Sequence, residues 1–380
     1  IMPGFDLAKC AADIFDLNKN CEGLLLLNHG HFTWGRTAKE SYEKVIEHSN
    51  KVESWIQKNL KKKKYVNKTV YSLNFNKLIL LAKIRGDIQK NSIGYNFNPT
   101  FDIRNNDDVE NIFNKYGPFD CIFNMAAQVA FKVSVERPRL DFEINALGTF
   151  NLLEALRLKS PKALFVFAST NQVYGELKNV PVEEFDTRFD FIDLKNGVSE
   201  DHNLDFLSPY GCSKGAADMY VQDYGRVYGL NTVVTRFGGI YGTNQYSYED
   251  HGWISYITDQ VRRDEVFNRF GHGKQVRDIL FIDDILDAMT KIYNQRSKLK
   301  KGLCINIGGG KENSLSVLEL LNLLEELTGN SEKSTINPMR QADKLVVYLD
   351  ISKAKKEIDW IPKVGYKEGI KRLIDWQNKI

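Results

Sequence analysis

The spacing of apolar and polar positions changes character twice along the chain, which divides it into three stretches. Over residues 1–60 the pattern reads helix, strand, helix. Phe5 to Leu17 carries apolar residues at helical spacing, and Leu24-Leu25-Leu26-Leu27 is the short apolar run of a buried strand. Residues 37–59 place Tyr42, Val45, Ile46, Val52 and Ile56 on one side of a helix. Residues 61–97 differ. Lys61 to Lys64 is a charge run, Asn and Lys recur after it, and Leu78-Ile79-Leu80-Leu81 fits a short helix or a strand. From Asn98 onward strands and helices alternate. Strands are predicted at Cys121–Phe123, Ala163–Ala168, Thr232–Thr235, Ile279–Phe281 and Leu303–Ile307. Helices are predicted at Arg139–Leu158, Tyr210–Tyr228, Gly252–Arg263, Asp283–Tyr293 and Ser316–Thr328. Strands separated by helices of this length predict βαβ units and a parallel sheet, hence an α/β fold.

Composition narrows the partners more than the fold. Hydrophobic residues make up 42% and charged residues 27%, an ordinary globular balance. A net charge of +3 does not point to nucleic acid. Cys10, Cys21, Cys121, Cys212 and Cys304 are far apart and form no C-x-x-C pair. That argues for a reduced compartment and against a disulfide scaffold or a cysteine zinc site. No apolar run reaches the roughly 18 residues of a membrane span, and no basic segment precedes a long apolar one. The expectation is a soluble, cytoplasmic protein. The start at Ile1 rather than methionine is read as a chain that begins partway through a gene product.

The chemistry concentrates in three residues. Ala168-Ser169-Thr170-Asn171-Gln172-Val173-Tyr174-Gly175 follows a predicted strand, and Ser208-Pro209-Tyr210-Gly211-Cys212-Ser213-Lys214 opens a predicted helix. Residues at i and i+4 share a helix face, so Tyr210 and Lys214 lie together. An ammonium beside a phenol favours the phenolate and is expected to lower the Tyr210 pKa. Thr170 could then hold a substrate alcohol whose proton Tyr210 takes.

These motifs resemble the Ser/Thr-Tyr-Lys triad of extended short-chain dehydrogenases/reductases, the NAD-dependent epimerase/dehydratase family. Phe101-Asp102-Ile103-Arg104 resembles that family's D-[IL]-R, and Asn124-Met125-Ala126-Ala127-Gln128 its H-x-A-A turn, with Asn in place of His. Asn145-Ala146-Leu147-Gly148-Thr149 resembles N-x-x-G-T, Gly271 to Asp278 resembles G-x-G-x-x-x-R-D, and Asn306-Ile307-Gly308-Gly309-Gly310 resembles N-[IL]-G-x-G. The resemblance covers residues 98–380 and implies bound NAD. Its cofactor side would comprise Asp102 and Ile103 at the adenine, Ala126, Ala127, Gln128, Asn145, Phe237, Tyr210 and Lys214. Substrate contacts would come from Asn171, Arg236, Gln245 and Arg277, the arginines facing a nucleotide diphosphate.

Within the family, dehydratases carry an Asp-Glu pair after the catalytic Thr. Here the pair is Asn171-Gln172, which cannot do general acid–base work. The stretch Arg236 to Gly242, then Asn244 to Trp253, and Gly273-Lys274-Gln275-Val276-Arg277-Asp278 resemble the CDP-paratose (CDP-tyvelose) 2-epimerase group. In that group NAD takes hydride from C2 of the sugar, the ketone turns over, and hydride returns to the other face. A CDP-sugar or another nucleotide sugar is the implied substrate. An assembly of two or four chains is implied too, built on helices such as Arg139–Leu158 and Tyr210–Tyr228.

One motif is missing. The family opens with G-x-x-G-x-x-G, whose backbone amides meet the cofactor diphosphate, and upstream of Asp102 only isolated glycines such as Gly86 and Gly94 occur. The first βαβ unit therefore reads as absent. Met2 to Lys9, Glu22 to Gly30 and Ala38 to Glu43 instead resemble the C-terminal half of a class II aldolase of the rhamnulose-phosphate type. There His29 would be a zinc ligand. His29 and His31 alone fall short of the three protein ligands a catalytic zinc needs, so no metal is expected. The predicted organisation is an aldolase-like fragment (1–60), a junction (61–97), an incomplete Rossmann-like NAD domain (98–235) and a mixed Rossmann and substrate-binding region (236–380). Residues 1–95 are expected to pack apart from the sheet. Two other readings stay open: an inactive truncated or chimeric homologue that does not retain NAD, and an aldolase fragment completed by a partner chain.

Overall fold

The computed structural model describes residues 101–246, 248–249, 251–340 and 343–379, the strands Gly23–Leu26, Gly30–Thr33 and Leu78–Leu81, and the single residues Thr37, Lys44, Glu47 and Lys51. The chain divides into two compact units, residues 1–74 and 75–380. In the first, β1 (Gly23–Leu26) pairs antiparallel with β2 (Gly30–Thr33), with Leu25 opposite His31. Lys44, Glu47 and Lys51 are helical, and Glu47 pairs with Lys51 one turn on. The predicted helix at Phe5–Leu17, most of that at 37–59, Leu27 and His29 lie outside the described residues.

The second unit is built on a parallel five-stranded sheet. Its strands are β3 (Leu78–Leu81), β4 (Cys121–Asn124), β5 (Leu164–Thr170), β8 (Asn231–Phe237) and β12 (Leu303–Ile307), in the order β12-β8-β5-β4-β3. β3 corrects one expectation. Leu78–Leu81 belongs to the sheet rather than staying apart from it, in register with Cys121–Asn124. An open sheet edge offers unpaired N–H and C=O groups, and a four-residue apolar segment suffices to take them up.

Helices α1 (Asn106–Tyr116), α2 (Phe131–Glu136), α3 (Pro138–Phe142), α4 (Gly148–Lys159) and α5 (Ser208–Tyr228) precede β8 in the chain. Strand alternation sorts the core into two layers. Phe165 and Phe167 of β5 pack with Val109 and Phe113 of α1, Leu152, Leu153 and Leu156 of α4, and Ala217 and Val221 of α5. Leu164 and Val166 point the other way, toward Ile285, Ala288 and Ile292 of α7 (Ile282–Gln295) and Ala354 and Ile358 of α9 (Ser352–Ile358). Phe165 and Phe167 are fully buried, which stabilises the sheet by about 1.5–3 kcal/mol each.

The remaining elements form a second layer beside the strands' C-terminal ends. β11 (Val276–Phe281) takes β13 (Ser314–Ser316) antiparallel and both β15 (Val346–Val347) and β9 (Gly239–Tyr241) in parallel. Two further pairs complete it, β6 (Val182–Glu184) antiparallel with β7 (Phe189–Phe191) and β10 (Phe267–Phe270) parallel with β14 (Ser334–Asn337). Helices α6 (Trp253–Arg262), α8 (Val317–Thr328) and α10 (Tyr366–Gln377) cover β11 with Ile257, Val261, Leu320, Leu324, Ile370 and Leu373. α8 starts where its sequence says it should. Ser316 and Glu319 satisfy each other's backbone N–H, and Gly329 ends the helix at φ 74°.

The helix predicted over Arg139–Leu158 is interrupted. A π-helical turn, Glu143–Leu147, separates α3 from α4 and turns Asn145 inward, where it is completely buried.

Candidate active site

β5 delivers Thr170 at its C-terminal end, where the chain turns into one 3-10 turn, Asn171–Tyr174. α5 runs alongside, with Pro209 in its first turn and Gly229 closing it at φ 67°. Its first turn carries Tyr210, and its second carries Lys214. The Thr170 and Tyr210 side chains are hydrogen bonded, and Thr170 Oγ1 also accepts the Gln172 N–H at 3.2 Å. Lys214 is 2% exposed. Its Nζ donates to Ala168 C=O and lies 4.2 Å from the centre of the Phe167 ring.

The electrostatics depart from the expected phenol–ammonium pair. Burial pushes the Tyr210 phenol up to about 12; the Thr170 bond opposes this and the Asp141 charge adds to it. Burial pulls Lys214 down to about 7, against the charges of Asp218 and Asp141. The expected lowering of Tyr210 by Lys214 is therefore not found. The ammonium is turned onto Ala168, and enclosure penalises the charged form of both groups.

The loop after β4 is held by a closed set of bonds. Asn145 Oδ1 accepts Gln128 N–H at 2.9 Å, and Asn145 Nδ2 donates to Gln128 C=O at 3.0 Å. Ala126 N–H reaches Asn124 Oδ1 at 3.3 Å, and Asn124 Nδ2 donates to Thr149 at 3.0 Å. Ala126 is buried and Ala127 half-buried. Asp102 accepts from Arg104 through both backbone and guanidinium. The Ile103 side chain points into the core, where a Cβ on Gly148 would come within 2.6 Å of it. The Ile103 C=O is taken too, by Asn151 Nδ2 at 2.9 Å, and the side chain is a packing group. The Phe237 ring is likewise a packing group, clustered with Leu280 and Ile285, and its backbone lies in the ladder between Thr170 and Ile307.

The proposed substrate residues separate. Arg236 is 2% exposed and spends its guanidinium on Asp218, at 2.9 and 3.1 Å, and on the Tyr174 hydroxyl at 3.1 Å. The reading of Arg236 as a diphosphate contact is overturned: the inward side of β8 faces Asp218 of α5, and the pair neutralises itself there. Arg277 is bound to Asp343 and donates to Lys344 C=O at 2.7 Å. Gln245 ties its loop down, donating to Ile240 C=O at 3.2 Å and accepting from Ser255. Asn171 is buried, and its C=O faces Lys344 Nζ at 3.3 Å. Lys344 went unnoticed in the sequence. It is 2% exposed, and burial with the nearby Arg277 charge pulls it down to about 7.

Two family motifs meet in one contact. Asp278, next to Arg277 on β11, points inward, and its Oδ2 accepts the Leu349 N–H at 3.4 Å. Burial raises it to about 7. A Cβ on Gly308 would come within 2.2 Å of its carboxylate, so the glycine run wraps this buried acid closely. No cluster of three metal-ligating side chains occurs among the described residues, and none of their helices is long and apolar enough to cross a membrane.

A profile of the GDP-mannose 4,6 dehydratase family matches residues 49–373. The chain belongs to the extended short-chain dehydrogenase/reductase family of nucleotide-sugar epimerases and dehydratases. Among its relatives in that family, the CDP-paratose 2-epimerase of Salmonella typhi is 43% identical over 284 residues, spanning 73% of this chain and 83% of the relative. The UDP-glucose 4-epimerase of Thermotoga maritima, solved with UDP-glucose, superposes with a TM-score of 0.63 at 30% identity over 73% of this chain and 82% of its own. The Thermus thermophilus UDP-glucose 4-epimerase, solved with NAD, gives 0.61 at 30% identity over 73% and 83%.

Proposed function

We propose that this chain is an NAD-dependent epimerase that inverts C2 of a CDP-sugar, as CDP-paratose 2-epimerase does. The observation that carries the reading is the meeting of Thr170, Tyr210 and Lys214 at the end of β5, with Asn171-Gln172 where a dehydratase would need two acids.

The donor set fits the cofactor. Of three N–H donors on Lys214, one is used on Ala168, leaving two for a ribose diol. Ala126 and Ala127 allow close approach at the end of β4, and Asp102 supplies an acceptor at the far end. When bound, NAD supplies a reversible acceptor for the hydride of the sugar carbon. The protein's own residues handle the proton. Thr170 holds the sugar hydroxyl, and Tyr210 takes its proton and later returns it. The enclosure that keeps Lys214 dry also keeps water from the intermediate ketone. Arg277, held by Asp343 and by the Val276 and Lys344 carbonyls, is the candidate for the nucleotide diphosphate, for which its guanidinium would have to exchange the Asp343 carboxylate.

The same reading pairs the chain with a second copy. Exposed Phe142, Leu158, Tyr220, Val227 and Tyr228 on α3, α4 and α5 support it. The first test is cofactor content. The chain is denatured and the released NAD measured. Stoichiometric NAD is the expected result. No NAD, and no thermal shift on adding it, would make the chain an inactive homologue.

A further inference from the structure

Asp141 lies on α3, is completely buried, and was not singled out by any sequence motif. A buried carboxylate is costly unless its oxygens are hydrogen bonded, and here both are. Oδ1 accepts Gln128 Nε2 at 3.0 Å, and Oδ2 accepts the Ser213 hydroxyl at 2.5 Å. Ser213 stands between Tyr210 and Lys214 in α5. Its oxygen lies 3.1 Å from Tyr210 C=O and accepts Asn145 Nδ2 at 3.0 Å. Asn145 in turn clamps the Gln128 backbone from both sides. One acid thus joins three pieces of the site: the loop after β4, the π-helical turn, and the opening of α5.

We propose that Asp141 is a positioning residue for the proton-transfer pair. Through Ser213 it fixes the turn carrying Tyr210 and Lys214, and through Gln128 and Asn145 it fixes the cofactor-side loop. Its charge also opposes the loss of the Lys214 proton that burial favours. Among the described residues, the charges that bear on Lys214 come from Asp218, one turn on in α5, and Asp141, and the charge that bears on Tyr210 comes from Asp141; Thr170, at the end of β5, is neutral. Asp141 is one of two acids whose charge offsets the burial of Lys214, the other being Asp218. It is the one whose charge also bears on Tyr210. The arrangement has a bulk-free logic. Packing alone would be served by an apolar residue, and the bonds alone by an amide; only a carboxylate supplies both bonds and sign.

The kinetic part rests on the epimerase reading, so the test includes a measurement that does not. Lysine is labelled with 13C at Cε in the full chain, the Lys214 signal is assigned by its loss in Lys214→Met, and its titration is followed by NMR. In Asp141→Asn the Lys214 midpoint is expected to move to lower pH. In Ser213→Ala, which keeps the carboxylate, it is expected to stay. In turnover of a CDP-sugar, both variants are expected to lose on the order of tenfold in kcat with little change in KM, as for loss of one charge-assisted hydrogen bond. Ser213→Thr, which retains the hydroxyl, should recover kcat. An unmoved Lys214 midpoint in Asp141→Asn overturns the proposal. So does full kcat in Ser213→Ala, which decides the matter if Asp141→Asn does not fold. A parent chain without turnover would instead count against the epimerase reading and leave the NMR result standing.

Discussion

Two buried charge clusters lie on either side of the same strand end, and they are built in opposite ways. In the first, Asp218 accepts Ser169 at 2.7 Å, Gln222 at 2.6 Å and two bonds from Arg236. Arg236 passes on to Tyr174, Tyr174 donates to Asn306 at 2.7 Å, and Asn306 N–H donates to Glu200 at 2.6 Å. This cluster leaves little bonding capacity unused. In the second, Tyr210 has Thr170, and Lys214 has one carbonyl and the Phe167 ring. Lys214 is buried and Tyr210 half-buried, and both hold donors or lone pairs in reserve. A saturated cluster cements a fold, whereas an under-saturated one is poised to receive a ligand. The two are also linked, since the Asp218 charge bears on Lys214.

Breaking each cluster should separate these roles. The largest effect is expected from Tyr210→Phe. Activity should fall by about 10²–10⁴, the range for a lost general acid–base group, with the melting temperature nearly unchanged. Retention of full turnover would remove Tyr210 from the chemistry. Arg236→Met attacks the other cluster. It strands Asp218 as a buried unpaired charge, and denaturant unfolding should show a loss of about 3–5 kcal/mol. Folded molecules of this variant should still bind a nucleotide sugar, because Arg236 does not reach the diphosphate.

A smaller, pH-dependent effect is expected from Lys214→Met. The lysine sits near 7 in the fold against 10.5 unfolded. Between those values the folded chain binds fewer protons, so the Lys214 contribution to stability rises with pH across that window. The variant should therefore melt higher than the parent at pH 7 and below, with the gain fading toward pH 10.5, while losing activity at every pH. A variant that melts lower throughout would mean that the ammonium is better satisfied than its surroundings indicate.

The sheet was legible because its strands are apolar on both faces. Leu303–Ile307 is buried along its whole length, and a continuous apolar run is what a parallel sheet demands. The triad was legible because β5 and α5 place Thr170 and Tyr210 together by topology alone. Other features left no periodic trace. The π-helical turn at Glu143–Leu147 adds one residue without breaking the apolar stripe. Leu78–Leu81 becomes a strand only because β4 has an open edge. Arg236 could be read outward or inward until Asp218, on a separate helix, was seen to face it. Lys344 sits in a polar stretch before a two-residue strand, where nothing marks a lysine for burial. Asp141 has the same disguise, an acid in a short helix whose partners lie 13 and 72 residues away.

If the sugar carbon is inverted by oxidation and reduction, Tyr210 moves only the hydroxyl proton. Turnover of a CDP-sugar in D2O, followed by NMR of the product, separates this from proton exchange at carbon. The expected product has an inverted C2 that still carries its original hydrogen. Deuterium at C2 would mean that the carbon exchanged its proton with solvent, and would contradict the mechanism assigned to Thr170, Tyr210 and Lys214.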